Sequence, residues 1–209
     1  LAQGKVQGEQ VWIPAKESTF GGGTKDIKLE ATLYKPAGNG PFPVIIHSHG
    51  STGFGSISAT LTLRPDQLAE IYMAYGFAVI APMRRGRGAS EGDYGESEKC
   101  DEAYISQGIT RAIEDTDRVV EYLKTLTFID SSRIVLSGHS RGGILSVVYA
   151  SRRPGTVQGV VNFSGGWVAD GCPGDTNKQF FKEAGSKTKI PMVWFYGEND
   201  SYYSASSIK

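Results

Sequence analysis

Residues 133–150 read RIVLSGHSRGGILSVVYA, and the rest of the chain is best read outward from them. RIVLSG is a short apolar run with β-branched residues and reads as a buried strand. GGILSVVYASRR, halted by Pro154, reads as an apolar helix. Between them Gly138-His139-Ser140-Arg141-Gly142 leaves room only for a very tight turn with Ser140 at its tip. The G-x-S-x-G spacing has a steric reason. A serine at the apex of a strand-to-helix turn holds a strained backbone, and its hydroxyl stands clear of the sheet. Side chains two positions before and two after it would collide across the turn, hence glycine at both. The helix starting near Arg141 points its N-terminus at the hydroxyl, which favours developing negative charge. The plainer alternative is an ordinary turn whose serine only caps the helix.

The segments on either side set the fold class. EQVWIP and DIKLEATLYKP are extended patterns separated by the turn cluster FGGGTKD. VIIHSHG and FAVIAPM are apolar strands. Between them RPDQLAEIYMAYG has helical spacing, with Leu68, Ile71 and Tyr75 expected on the buried face and Gly76 as its stop. A long loop, RRGRGASEGDYGESEKC, leads into a helix from about Glu102 to Lys124, on which Ile109, Ile113, Val120 and Leu123 repeat near the helical period. VQGVVNFSGG, TNKQFFKEAG and PMVWFYG then read as strand, helix and strand. Strands that are apolar throughout and alternate with helices predict an α/β fold, with a mostly parallel central sheet and helices on both faces. Residues 1–209 read as a single domain, and loops after the strands belong to the carboxyl edge where open α/β folds keep their sites.

Composition narrows the function classes. Lys+Arg and Asp+Glu both number 22, so no basic excess points to nucleic acid or to an anionic membrane surface. The longest apolar runs are too short to cross a bilayer. Two cysteines, Cys100 and Cys172, are too few for a zinc cluster. They are either one bridge or two thiols. The opening LAQ resembles the residues after a cleaved leader. With a possible bridge, this favours a secreted or periplasmic place over a cytoplasmic one. MRRGRGASEG lacks the order of a phosphate-binding loop, and one or more of Arg84, Arg85 and Arg87 are expected to pair with local carboxylates such as Glu91 or Asp93. No motif implies a metal or an organic cofactor.

HSHGSTG, RRGRGASEG, GHSRGG and FYGEND, each following a strand, together make the chain resemble the α/β-hydrolase superfamily, and within it the dienelactone hydrolase-like group. The resemblance runs from about residue 26 to the end. That group usually carries a cysteine nucleophile; Ser140 here shifts the expectation towards serine esterases. The resemblance implies Ser140 as nucleophile, and backbone N–H groups of Arg141 and of Ser51, or its neighbour, as oxyanion donors. It also implies Asp200 as the acid of a catalytic triad. It places the triad histidine after the acid, yet SYYSASSIK, which follows Asp200, has none. Of the three histidines, His139 is expected to leave the elbow in another direction, His49 to be structural or to line the cleft, and His47 to lie in the sheet. The base is therefore expected on a C-terminal helix and strand region outside these residues. Without that region, the strand PMVWFYG would be a bare sheet edge.

The reaction so implied is cleavage of a small carboxylic ester or lactone through an acyl-enzyme. Two alternatives remain at this level: a peptidase of the prolyl oligopeptidase-like branch, and a non-catalytic binding module that lacks the triad histidine. Trp167, Phe180, Phe181, Tyr202 and Tyr203 are candidates for an aromatic pocket, with ordinary core packing the plainer role. Nothing in the sequence sets the oligomeric state.

Overall fold

The computed structural model describes residues 7–19, 21–53, 57–96, 100–169, 172 and 176–203. Its elements, in chain order, are β1 (Glu9–Ser18), β2 (Thr24–Tyr34), β3 (Phe42–Ser48), α1 (Asp66–Ala74), β4 (Ala78–Pro82), α2 (Glu102–Lys124), β5 (Ile129–His139), α3 (Arg141–Arg152), β6 (Gly159–Phe163), α4 (Thr176–Lys187) and β7 (Met192–Phe195). The strands form one sheet in the order β1-β2-β4-β3-β5-β6-β7. β1 and β2 join antiparallel, as do β2 and β4; the remaining pairings are parallel. The α/β expectation holds. The leader-like reading of LAQ lies outside the described residues.

Successive strand residues face opposite sides of a sheet, and the core divides accordingly. Val44, Ile46, Ala78, Ile80, Ile134, Leu136 and Val160 pack with α2, α3 and α4 on one face. Ile45, Val79, Ala81 and Val135 pack with α1 on the other. On α2 the periodic set Ile109, Ile113, Val120 and Leu123 is buried as expected. Asp101 caps this helix by accepting from the N–H groups of Ala103 and Tyr104.

On α1 the expected face is wrong. Ile71 is 55% and Tyr75 79% exposed, while Ala69, Tyr72 and Met73 meet the sheet. Apolar spacing marks a stripe but not which stripe packs. In this helix of nine residues the packed stripe is the one containing the small, fully buried Ala69. Gly76, at φ +82°, ends the helix as predicted.

β7 is an edge strand. The Trp194 ring meets that of Phe181 of α4 at 4.6 Å, while Val193 and Phe195 are each 52% exposed. Cys100 and Cys172 form a disulfide with a Cα–Cα distance of 5.3 Å. It ties the end of the loop after β4 to the segment after β6, across the two strands (β3 and β5) between them.

Candidate active site

The elbow has the geometry its glycines predict. Ser140 sits between β5 and α3 with φ 53° and ψ −122°, a backbone conformation that L-residues rarely adopt. A Cβ on Gly138 would lie 2.2 Å from the carbonyl atoms of Gly142, and one on Gly142 would lie 2.0 Å from Ser48 O. Glycine at both positions lets the turn close and pack against the loop after β3. The strained residue is well anchored. Its N–H donates to Phe163 O at 3.0 Å, and its carbonyl accepts from the N–H groups of Gly143 (2.9 Å) and Gly166 (3.2 Å).

A cavity of about 460 Å³ opens in front of this turn, lined by Ser51, Ser140, Arg141 and Asp200 together with apolar and aromatic side chains. All four residues expected at a site therefore meet at one place. Asp200 follows β7, and its Oδ1 accepts from the N–H groups of Tyr202 (2.9 Å) and Tyr203 (3.0 Å). Burial alone would raise this carboxyl; those backbone bonds and a bond with Ser164 hold it below the usual range. Of the proposed aromatics, Trp167, Tyr202 and Tyr203 line the cavity, whereas Phe180 and Phe181 pack on the core.

Tyr203 is a contact that the sequence did not reveal. Its Oη donates to Gly166 O at 2.9 Å and lies 3.3 Å from Ser140 Oγ. A phenol has one proton, so with that proton on Gly166 O the Ser140 hydroxyl is the donor of this pair. Sequence reading placed Tyr203 only among the candidates for an aromatic pocket; nothing in it pointed to a bond with the nucleophile.

The histidines divide clearly. His49 is buried. Its Nε2 accepts from the N–H of Arg84 at 3.1 Å, so the proton is on Nδ1, which donates to Gly50 O at 2.6 Å. Burial, helped by the Arg84 charge, lowers its pKa to about 3. His49 is thus a neutral structural group and does not line the cavity. His47 bonds Ser137 Oγ at 3.0 Å, and burial lowers its pKa to about 4. His139 corrects an expectation: it lines the same cavity as Ser140 and Asp200. Its pKa is lowered by burial, against an opposing pull from the Asp200 carboxylate.

The arginines of the loop after β4 also pair differently than expected. Arg84 pairs with Glu96, and Arg85 with Asp115 at 2.7 Å, all four being buried. Glu91 instead accepts from Lys28 N–H, and the Asp93 backbone N–H donates to Glu17. The Arg87 guanidinium lies over the Tyr94 ring. Among the described residues no group of side chains is arranged to hold a metal ion, and no helix is long and apolar enough to cross a membrane.

Comparison with known proteins bears on the fold and the family. The chain is 30% identical over 120 residues to the quorum-quenching protein AidA of Acinetobacter baumannii, covering 57% of this chain and 34% of that one; it thus spans about a third of that relative's length. Acetyl xylan esterase 1 from Thermoanaerobacterium superposes with a TM-score of 0.61 at 18% identity, covering 97% of this chain and 77% of that one. Est1E from Butyrivibrio proteoclasticus, solved with ferulic acid bound, gives 0.61 at 18% identity over 87% and 80%. These two share the α/β-hydrolase fold with this chain. The model of the dienelactone hydrolase family matches residues 29–209, and the chain belongs to that family.

Proposed function

We propose that this protein is a serine hydrolase that cleaves small, uncharged carboxylic esters or lactones through an acyl-enzyme on Ser140. One observation carries the reading: the strained turn presents Ser140 at the N-terminus of α3, facing a cavity it shares with Asp200. Oγ attacks the carbonyl carbon while its proton passes to an imidazole base. The oxyanion is held by the N–H groups of Arg141 and Ser51. The C–O bond to the alcohol then breaks as the base returns the proton to the leaving oxygen. Water, deprotonated by the same base, then adds to the acyl carbon, and the C–Oγ bond breaks as the base passes that proton to Oγ, releasing the acid and free Ser140.

Asp200 orients the base and stabilises its charged form. His47 and His49 are held neutral by burial and bonded elsewhere. In this reading the base is an imidazole that reaches both Ser140 Oγ and the Asp200 carboxylate. Small ester substrates are further supported by the fold neighbours, one named as an acetyl xylan esterase and one holding ferulic acid.

The test is fluorophosphonate labelling of the full-length protein, with Ser140→Ala as control and a parallel panel of aryl esters and aminoacyl amides. Labelling confined to Ser140, with ester turnover exceeding amide turnover, is expected. A folded protein that neither labels nor hydrolyses any ester refutes the proposal, and preference for the amides reassigns it to a peptidase.

A further inference from the structure

The loop after β3 is held by a buried unit that catalysis does not use directly. Arg84 is 3% exposed and Glu96 4%; they form a two-point ion pair through Arg84 Nε and Nη2. Arg84 also grips His49 at both ends. Nη1 donates to His49 O at 2.7 Å, and the Arg84 backbone N–H donates to the ring Nε2 at 3.1 Å. The ring in turn passes the hold on, with Nδ1–H donating to Gly50 O at 2.6 Å, and Arg84 Nη2 stands 3.4 Å from the same oxygen.

The direction of that last carbonyl decides the next residue. Gly50–Ser51 is a trans peptide, in which C=O and N–H point to opposite sides. With Gly50 O pinned towards His49 and Arg84, the Ser51 N–H is turned the other way, and Ser51 lines the cavity. The second donor residue is held by the same acid. Arg141 Nη1 donates to Glu96 O at 3.2 Å and stands 3.8 Å from the Glu96 carboxylate, while Arg141 Nε donates to Trp167 O at 3.0 Å. Burial would raise the Glu96 carboxyl, but the Arg84 charge against it keeps it ionised well below the usual range.

We infer that Arg84 and Glu96, acting through His49, are positioning residues that set the separation and direction of the two backbone donors facing Ser140. This rests on the proposed role of Ser140. The unit touches no substrate. Its effect belongs to the transition state, where charge develops on the carbonyl oxygen and donor direction counts most.

Two variants test it in the full-length protein. Glu96→Gln keeps the shape and removes the charge. Arg84→Met with Glu96→Leu removes the whole pair, and apolar replacement of a buried ion pair is often neutral or stabilising, so this second variant keeps the fold while losing the guanidinium bonds to His49 O and Gly50 O; the backbone bond to the ring remains. For both, kcat on an aryl ester is expected to fall about tenfold to a hundredfold with KM within about twofold. Losing one such donor outright costs about 10²–10³ in kcat. Affinity for an aryl boronic acid, which forms a tetrahedral adduct on the serine, is expected to fall in parallel. An unchanged kcat in the folded double variant, or a loss carried by KM alone, overturns the inference. Failure of the wild-type protein to label at Ser140 refutes the proposed function instead, before any variant is made.

Discussion

His49 makes the fold acid-sensitive in a way that can be worked out in advance. In the folded chain its Nε2 accepts a backbone N–H and its Nδ1–H is already used, so a second proton would put donor against donor inside the core. Its pKa falls from 6.5 to about 3. A group with a depressed folded pKa whose charged form carries the proton is protonated first in the unfolded chain. Its stabilising effect is complete above pH 6.5 and is lost as pH falls from there towards 3. At pH 4.5 the unfolded side is favoured over two units, worth about 2.7 kcal/mol at 1.36 kcal/mol per unit. Other groups, Glu96 and Asp200 among them, also lose stability in acid, so the useful quantity is a difference. His49→Gln offers one donor and one acceptor but no titration. Urea unfolding at pH 7 and pH 4.5 is expected to show the wild type losing about 2–3 kcal/mol more than the variant over that interval. Equal losses in the two proteins would refute the assignment of a neutral, Nδ1-protonated His49 in the core.

Three other perturbations follow from the geometry. Gly142→Ala puts a Cβ 2.0 Å from Ser48 O; a loss of about 3 kcal/mol in urea unfolding and disappearance of fluorophosphonate labelling are expected. Cys100→Ser with Cys172→Ser opens a loop spanning 72 residues, which in the chain-entropy model costs about 4 kcal/mol. Because Cys172 also lines the cavity, KM is expected to rise, and both effects should be mimicked by reducing the wild-type protein. The cavity wall carries Ile57, Leu63, Trp167 and Val168, and the Arg141 guanidinium beside it is bonded to Glu96 O and Trp167 O. Among the described residues, an acyl group bearing a carboxylate would thus meet no cation placed to receive it. A hemisuccinate ester is expected to show kcat/KM at least about tenfold below an uncharged ester of the same alcohol, for a burial cost of about 1.4 kcal/mol or more.

What could be read from the residues alone was what local sterics and period decide. The elbow needed only its two glycines and the apolar segments around it. α2 needed only four apolar positions at helical spacing. Asp200 was not legible in this way and rested on the resemblance of FYGEND to the family pattern. The misread face of α1 shows where period stops: spacing marks stripes, but the sheet chose the one containing Ala69 over the one with Ile71 and Tyr75. The direction of His139 failed for a related reason, since its neighbour's strained turn decides where the ring goes. Glu96 was invisible because RRGRGASEGDYGESEKC has the composition of a solvated loop.

The described residues of that loop are nonetheless bonded at several points to the body of the protein. Glu30 on β2 accepts from Ala89 N–H at 2.7 Å, and its own N–H donates to Ser90 Oγ at 2.8 Å. Glu17 on β1 accepts from Asp93 N–H at 2.8 Å. Asp115 on α2 accepts from both the backbone and the guanidinium of Arg85. Arg84 and Glu96 hold the loop after β3 and the first residue of α3. Buried ion pairs are weak sources of stability, because desolvation cancels much of their attraction. What they supply is direction, since each carboxylate is satisfied by donors in only one arrangement. A charge-rich segment of this kind therefore acts as an inner brace joining β1, β2, α2 and both expected oxyanion donors. If it were a solvated loop instead, Glu96→Gln would leave turnover and unfolding unchanged.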